Sequence, residues 1–382
     1  MKIAFIHNLP SGGGKRSAFE FVKGMTNKHK VDLFYMDPTS EEYLDLRTLV
    51  DRTIFVPGPS AKGGLGMLTS LIAARKTYKE IAKQINDGGY DLAFVMQCKV
   101  CNTPFVLNYL KIPSLYYFAE PLARCLEPHF WEKGWSSFFK IQIIKFRVLI
   151  DRINARHASL ICANSLYSVE NIYRFIGVYP NFCRLGIDLN LFQPKQLKRE
   201  PTILSVGFLS PSKGQDFLIE SVATLKERPA ISFIYNSDHN NYKSYLQKLA
   251  EDNSVSISFK QMVGDDDLVK AYNSSTIVAF VSKLEPFGFV PLEAMACGTP
   301  VVGVAEAGIR ETVKHGENGL LTERDPVKFG KAIQALMSDE SLREAMGKNG
   351  HQYVAENWSL EKSNADIERN LHLAIQNGVD VN

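Results

Sequence analysis

Short apolar runs alternate with amphipathic stretches along the whole chain of 382 residues. In the first half, six β-rich apolar runs predict buried strands, and intervening segments such as 65–85 and 166–175 have helical periodicity. Strands that alternate with helices predict a parallel, doubly wound sheet. The predicted strands are Lys2–His7, Val31–Tyr35, Thr53–Pro57, Leu92–Met96, Ser114–Phe118 and Leu160–Ala163.

The second half repeats this pattern and ends in two helical stretches, Leu342–Tyr353 and Leu360–Gln376. Between the halves, residues 186–201 are rich in Lys, Gln, Asn and Pro, which predicts a linker. We therefore expect an α/β protein with Rossmann-like domains at 1–185 and 202–358 and a C-terminal segment at 359–382. The predicted strands of the second domain are Thr202–Val206, Ile231–Tyr235, Val255–Phe259, Thr276–Val281 and Pro300–Val304.

Composition supports a cytoplasmic globular protein of two domains. The chain is 45% hydrophobic and 22% charged, and it has no apolar run of the ~18 residues that a membrane span needs. The N-terminus runs directly into a strand, so we do not interpret it as a signal peptide. Six scattered cysteines favour reduced thiols. Cys98 and Cys101 form a C-x-x-C pair without suitably spaced partners, so we predict no metal site there.

Charge is distributed unevenly between the halves. Residues 1–185 contain 24 Lys+Arg and 15 Asp+Glu, a balance of +9, and residues 186–382 contain 20 and 26, a balance of −6, which together give the net +3 of the chain. A basic half indicates a surface that meets an anionic partner.

The segment Glu285–Gly298 is the most informative motif. It contains two carboxylates eight residues apart, and it follows an apolar strand. A glycine and an early proline lie between the carboxylates, as expected where a turn leads into a helix. A helix start directs backbone N–H groups toward an anion. One acid at the rim and one farther along suit a ligand with hydroxyl groups on both sides of a phosphate, such as a sugar nucleotide.

This segment, together with the following runs 299–302 and 307–313, Gly316 and 319–321, resembles the E-x7-E region of retaining GT-B glycosyltransferases of family 4. The resemblance implies two Rossmann-like domains that face a cleft, with the last helix crossing back to the first domain. It also implies transfer of a hexosyl group from a UDP- or GDP-sugar to a hydroxyl of a glycan or lipid-linked acceptor, in cell-surface polysaccharide or glycolipid synthesis. No cofactor or metal is needed to hold the donor.

The resemblance assigns roles to residues of the second half. Lys213 would clamp the donor diphosphate and stabilise it as the leaving group, beside the turn at Gly207. Glu285 would position the sugar hydroxyls, and Glu293 would bind the ribose. Backbone N–H groups of Phe287, Gly288 and Phe289 would contact the donor. The family usually has an arginine where Phe208 stands, so the phosphate clamp departs from the usual pattern.

Two further loops are implied to contact the donor. The turn that contains Gly13, Gly14 and Lys15 would close on the diphosphate, with a helix from about Ser17. Main-chain groups of Met262 and Val263 would pair with the nucleobase. The three aspartates that follow, 265–267, are interpreted as partners of the helix dipole rather than as metal ligands.

On the acceptor side, Glu120 is the nearest polar candidate for orienting the acceptor hydroxyl. Related enzymes often have a histidine about where Ala119 stands. A purely structural role for the Glu120 carboxylate is about as well supported. His7, at the end of the first strand, is a second pocket candidate.

The helix after Trp135 has two apolar stripes. The broader one, which we expect to face the core, contains Phe138, Phe139, Ile143, Phe146, Leu149, Ile150 and Ile153. The narrower one, Ile141, Ile144 and Val148, is flanked by cations. Together with Trp131 and Trp135, it suggests contact between residues 131–157 and an anionic membrane surface, although burial in the domain explains it slightly better.

Two functions remain open. The first is the glycosyltransferase. The alternative, based on Phe208 and the missing histidine, is a GT-B protein that binds sugar nucleotides but is catalytically weak or inactive.

Overall fold

The computed structural model describes residues 1–42, 44–59, 66–122 and 135–378, and only the backbone of 135–140. The chain divides into two compact units. Unit 1 comprises Met1–Leu185 and Glu361–Asn382, and unit 2 comprises Gly186–Leu360.

Unit 1 contains a seven-stranded sheet in the order β3-β2-β1-β4-β5-β6-β7, in which all neighbouring strands are parallel. The central strands are apolar and buried on both faces, as a parallel sheet covered by helices requires. The strands are β1 (Lys2–Asn8), β2 (Lys30–Tyr35), β3 (Arg52–Phe55), β4 (Leu92–Cys98), β5 (Ser114–Tyr117), β6 (Leu160–Ala163) and β7 (Asn181–Phe182).

The helices of unit 1 lie between these strands. They are α1 (Gly13–Thr26), α2 (Gly66–Asp87), α3 (Trp135–Ala155) and α4 (Leu166–Ile176), with short 3-10 helices at Pro38–Glu41, Leu46–Thr48 and Phe105–Asn108. Helix α1 begins at Gly13, earlier than the predicted Ser17. Gly12 precedes it with φ +132, a backbone conformation that favours glycine.

Unit 2 contains a six-stranded parallel sheet in the order β10-β9-β8-β11-β12-β13. Its strands are β8 (Glu200–Val206), β9 (Ala230–Tyr235), β10 (Ile257–Gln261), β11 (Ser275–Phe280), β12 (Val301–Val304) and β13 (Gly319–Thr322). Its helices are α5 (Gln215–Ala223), α6 (Tyr242–Asp252), α7 (Asp265–Ser274), α8 (Phe289–Ala296), α9 (Ile309–Thr312), α10 (Pro326–Ser338) and α11 (Glu340–Asn357), with a 3-10 helix at Pro211–Lys213. The two sheets confirm the predicted α/β class with two Rossmann-like units.

The last helix, α12 (Leu360–Asn377), packs on unit 1. The Glu368 carboxylate lies 2.8 Å from the Nε2 atom of His29, and the Arg184 guanidinium donates to the Asp366 carboxylate at 2.6 Å. Helices α1 and α12 approach closely at Gly24, where a Cβ atom would lie 2.1 Å from the Asn364 side chain. No helix in the described parts of the chain is long and apolar enough to span a membrane.

The segment predicted as a linker packs on unit 2. Phe192 is buried and makes an edge contact with the Tyr272 ring at 6.1 Å between centroids. The Arg199 guanidinium donates to the carbonyls of Ser275 and Gly298 at 2.6 and 2.9 Å. Residues 186–199 are therefore part of unit 2.

Two strands were missed and one was misplaced. Strand β7 has two residues, too few for a periodic signal, and β13 begins with a glycine, which is uncommon in strands. Strand β10 begins two residues after the predicted Val255. That residue instead donates its N–H to the Ala250 carbonyl at 2.9 Å and follows Ser254, whose φ is +52. Val255 therefore caps the C-terminal turn of α6, and the strand starts after it.

The orientation predicted for α3 is wrong. Phe146, Leu149 and Ile153 of the broader stripe are 47%, 53% and 51% exposed, whereas Val148 of the narrower stripe is buried. The buried face instead contains polar groups, since Asp151 accepts from the Thr103 N–H at 3.1 Å. These buried hydrogen bonds fix the rotation of the helix.

Candidate functional site

In unit 2, Lys213 lies in the turn that follows the first strand, β8. The turn leaves β8 through Gly207, with φ +145, and ends at Gly214, with φ +69. A Cβ atom on Gly214 would lie 2.4 Å from the Val281 carbonyl oxygen, so a larger residue would separate this turn from the loop after β11. The glycine thus allows Lys213 to lie against that loop.

Lys213 and Glu285, predicted separately as parts of the donor site, contact each other. The Lys213 ammonium donates to the Glu285 carboxylate at 2.6 Å, and the two side chains are 18% and 24% exposed. The ammonium also lies 5.0 Å from the centre of the Phe208 ring, a cation–π distance. Phe208 therefore contacts the lysine at the position where the family usually has an arginine.

Arg324 holds the loop that carries Glu285. Its guanidinium donates to the carbonyls of Val281 and Ser282 at 3.0 and 3.2 Å and to both oxygens of Glu306 at 2.8 Å. Burial opposes ionisation of Glu306, but hydrogen bonds and the charge of Arg324 outweigh it and lower the pKa of this carboxyl group. Sequence reasoning missed Arg324 because it follows β13, which was not predicted.

Backbone contacts hold both ends of the same loop. The Lys283 N–H donates to the Ser212 carbonyl at 2.8 Å, and the Gly308 N–H donates to the Glu285 carbonyl at 3.1 Å. A Cβ atom on Gly308 would lie 2.0 Å from the Pro286 carbonyl oxygen. The glycine at 308 is therefore required for this close approach.

Helix α8 begins directly after this loop. Gly288 precedes it with φ +88, and a Cβ atom there would lie 2.6 Å from the Phe280 ring. The Phe287 ring packs 5.4 Å from the Trp358 ring and 5.6 Å from that of Phe289. These contacts fix the first turn of α8, where an α-helix has backbone N–H groups without helical partners.

Glu293 lies inside unit 2 rather than on its surface. Its carboxylate accepts a hydrogen bond from the buried Tyr272 hydroxyl at 2.7 Å. Burial and, to a smaller extent, the charge of this carboxylate raise the pKa of the neighbouring Cys297 thiol to about 12. Ribose binding by Glu293 stays a prediction, and Tyr272 is an unforeseen partner that orients this acid.

The predicted nucleobase loop follows β10. Met262 has φ +53 and an exposed side chain, and its N–H donates to the Tyr235 carbonyl at 2.9 Å. Because this N–H is used within the sheet, a base contact at Met262 would have to use its carbonyl group. Val263 then leads into α7, whose first turn contains Asp265, Asp266 and Asp267, consistent with their interpretation as helix-dipole partners.

In unit 1, Lys15 points away from the surface. Its ammonium donates to Glu41 at 2.5 Å, and both side chains are 0% exposed. His7 is also buried, with its Nε2 atom 3.0 Å from the same Glu41 oxygen. The predicted contact of Lys15 with a diphosphate is not supported by this geometry, because the ammonium is enclosed and paired. Gly13 and Gly14 form the first turn of α1, so any anion contact there would use backbone groups.

Lys15, His7 and Glu41 form a buried cluster in which the Glu41 carboxyl group is held ionised. Burial opposes its charge, but contacts with His7 and Lys15 outweigh that effect and lower the pKa of Glu41 to about 2. Burial also lowers the pKa values of His7 and Lys15, although Glu41 opposes both shifts. The Leu46 N–H and the Ser40 hydroxyl complete the hydrogen bonds to Glu41 at 3.0 and 2.9 Å.

Glu120 lies in a braced loop after β5. The Gln97 amide donates to the Glu120 carbonyl at 2.8 Å and accepts from the Ala119 N–H at 3.0 Å. The Ser168 hydroxyl donates to the Ala119 carbonyl at 2.6 Å. Gln97 and Ser168 were missed because neither belongs to a recognisable motif. The role of the Glu120 carboxylate toward an acceptor stays a prediction.

No described residues form a group of three or more His, Cys, Asp or Glu side chains suited to a metal ion. Cys98 and Cys101 are both buried free thiols. Cys125 lies outside the described residues.

Comparison with known sequences finds a family match for the part of the chain that carries this site. Residues 187–353 match the family Glycosyl transferases group 1. An uncharacterized glycosyltransferase of Methanocaldococcus jannaschii is 34% identical over 165 residues, which cover 42% of each chain. A GDP-mannose-dependent monoacylated alpha-(1-6)-phosphatidylinositol monomannoside mannosyltransferase of Corynebacterium glutamicum is 29% identical over 220 residues, 52% of this chain and 58% of the relative. The chain spans about half the length of the curated relatives it matches.

Solved structures match nearly the whole chain at low sequence identity. Sucrose-phosphate synthase from Thermosynechococcus elongatus superposes with a TM-score of 0.81 at 20% identity, covering 97% of this chain and 98% of that one. Anabaena HepE in complex with UDP and glucose superposes with a TM-score of 0.78 at 20% identity, covering 97% and 99%. The chain therefore has the GT-B class of fold, with two Rossmann-like units, and residues 187–353 are similar to the glycosyl transferases group 1 family.

Proposed function

We propose that this protein is a retaining glycosyltransferase. It moves a hexosyl group from a UDP- or GDP-sugar to a hydroxyl of a glycan or lipid-linked acceptor, in cell-surface polysaccharide or glycolipid synthesis in the cytoplasm. The observation that carries the proposal is the partly exposed pair of Lys213 and Glu285. This pair lies in the loops that follow β8 and β11, and ligands of open parallel sheets bind beyond the carboxyl ends of the strands.

The pair has the chemistry that departure of a nucleoside diphosphate needs. Negative charge develops on the phosphate oxygen as the sugar–phosphate bond breaks, and the Lys213 ammonium would stabilise it. Glu285 would accept hydrogen bonds from sugar hydroxyls, while the first turn of α8 offers N–H groups to the phosphates. In a front-face reaction the departing oxygen takes the proton of the acceptor hydroxyl, so retention needs no protein nucleophile.

The names of related proteins support the donor class. HepE was solved with UDP and glucose, and the mannosyltransferase of Corynebacterium glutamicum is named as GDP-mannose-dependent. We therefore propose a thermal-shift screen with UDP-glucose, GDP-mannose and an ADP-sugar. A donor that binds only the folded chain raises its unfolding temperature.

A catalytically weak sugar-nucleotide-binding protein is the second candidate, favoured by Phe208 beside Lys213. Release of the nucleoside diphosphate separates the two functions. The transferase predicts that the donor that gives the thermal shift releases its nucleoside diphosphate as the sugar is transferred to the acceptor, with the same anomeric configuration, as read by proton NMR. Tight binding without release under any acceptor condition would favour the second candidate.

A further inference from the structure

Helix α3 presents an exposed apolar stripe to solvent. Phe146, Leu149 and Ile153 are each about half exposed, and at about 100° per residue they lie within roughly 60° of one another around the helix axis. Helices of globular proteins normally turn such a stripe toward the core. Here the opposite face is buried instead. It contains Asp151 and Asn154, whose hydrogen bonds to Asn102 and Thr103 hold that face against the neighbouring loop.

Cations line one side of this stripe. Lys145, Arg152 and Arg156 are exposed. By the same helical geometry Lys145 and Arg152 lie about 40° and 60° beyond Leu149, and Arg156 directly follows the end of the helix. Arg152 donates to the Phe175 carbonyl at 2.6 Å, which anchors the guanidinium group at this surface. Among residues 141–155, the one acidic residue is Asp151, and it is buried on the opposite face. Between residues 141 and 155, the exposed face of α3 is thus apolar and positively charged.

We propose that the α3 stripe, defined as Phe146, Leu149 and Ile153 with the flanking Lys145, Arg152 and Arg156, binds an anionic lipid surface. Apolar side chains enter the boundary between headgroups and acyl chains, while the neighbouring cations attract acidic headgroups. The +9 balance of residues 1–185 complements such a surface. These residues differ from the narrower stripe that the sequence suggested, since Val148 of that stripe is buried.

Membrane binding would bring the enzyme to a lipid-linked acceptor, and to this extent the inference rests on the proposed function. Vesicle binding needs no donor or acceptor. Failure of sugar transfer and failure of membrane binding are therefore distinguishable.

The test is flotation of the full chain with vesicles of phosphatidylcholine and 30% phosphatidylglycerol at low salt. We expect binding that weakens with added salt and with vesicles of phosphatidylcholine alone. The variant Phe146→Ser/Leu149→Ser/Ile153→Ser should bind at least about tenfold more weakly, because each side chain loses apolar area that enters the membrane. Lys145→Gln/Arg156→Gln should bind about 5-fold more weakly for each cation removed.

Val327→Ser is the matched control, since Val327 is an exposed apolar residue of unit 2, and it should bind as wild type. Unchanged unfolding temperatures would show that the variants are folded. Absence of wild-type binding at low salt would overturn the proposal, as would full binding by the triple serine variant. A concentration-dependent dimer that the triple variant abolishes, without vesicle binding, would also overturn it and assign the stripe to a second copy of the chain.

Discussion

Both units place a lysine in the segment that follows their first strand, and both pair it with a glutamate, yet the two pairs differ in environment. In unit 1, Lys15 and Glu41 are fully buried with His7 beside them, whereas in unit 2 Lys213 and Glu285 are partly exposed beside Phe208. A glycine turn followed by a lysine therefore does not by itself define an anion site. Access to solvent decides whether the cation can meet a ligand or holds the fold together.

The largest expected effect concerns the buried pair. Glu41→Ala leaves the Lys15 ammonium buried without its partner, so the free energy of unfolding should fall by about 3–5 kcal/mol. Urea denaturation of the full chain measures this loss. The adjacent Glu42→Ala is the control, because Glu42 is exposed and its removal should change stability by less than about 0.5 kcal/mol. A small effect of Glu41→Ala would mean that the cluster is open to water.

The partly exposed pair of Lys213 and Glu285 should matter for turnover rather than for stability. Lys213→Ala should leave the unfolding temperature almost unchanged, because partly exposed ion pairs contribute about 0–1 kcal/mol. It should lower kcat by about 10²–10³-fold, since stabilisation of the leaving group is lost. Lys283→Ala is the matched control on the neighbouring loop, where the side chain is exposed. Equal kinetics for both variants would remove Lys213 from the mechanism.

Glu293 should affect donor affinity more than turnover. Glu293→Gln keeps the size of the side chain but removes its charge, so the Kd for the donor should rise by about 10- to 100-fold if the carboxylate binds ribose hydroxyls. Isothermal titration calorimetry measures this Kd. Tyr272→Phe removes the neighbouring hydroxyl alone and should have a smaller effect on Kd. If Tyr272→Phe weakened binding as much as Glu293→Gln, orientation rather than contact would explain the role of Glu293.

Acid should destabilise the chain through the cluster of unit 1. Burial holds the pKa of His7 below its ordinary value of 6.5, so the unfolded chain takes up the proton at a higher pH than the folded chain. The free energy of unfolding therefore decreases as the pH falls below 6.5. The pKa of Glu41 is lowered from 4.5 to about 2, so its contribution is present above pH 4.5 and is lost as the pH falls toward 2. His7→Asn should reduce the slope of the unfolding temperature against pH between pH 7 and 5. An unchanged slope would exclude His7 as its source.

The smallest expected effect is at Phe208. Phe208→Ala removes the ring beside the Lys213 ammonium, a contact worth about 0.5–1 kcal/mol at exposed sites. We expect a change in kcat/KM of about two- to fivefold. Steady-state kinetics with the best donor from the thermal-shift screen measures this change. A loss as large as that of Lys213→Ala would show that the ring contacts the donor itself.

Sequence patterns were informative wherever a long apolar run or a motif determined structure locally. The strands β1, β6 and β11 appear within a residue of their predicted bounds, because buried parallel strands give uninterrupted apolar runs. The turns at Gly207 and Gly288 were likewise recognisable. Their positive φ values explain why glycine occupies them.

Long-range contacts could not be predicted in the same way. Lys213 and Glu285 are 72 positions apart, and nothing local to either residue indicates the other. Burial of Lys15 depends on Glu41, which lies in a 3-10 helix of four residues, too short to give a periodic signal. The rotation of α3 was mispredicted because apolar content was weighed above the hydrogen bonds of Asp151. Burial raises the pKa of Asp151 to about 6, although those hydrogen bonds oppose the shift.

Release of nucleoside diphosphate from UDP-glucose and GDP-mannose, compared between wild type and Lys213→Ala, addresses the proposed reaction itself. We predict that wild type releases the diphosphate from at least one donor that raises its unfolding temperature, and that the variant does so at least about 100-fold more slowly. Stabilisation by a donor without any release by wild type, or equal release by both proteins, would contradict the proposal.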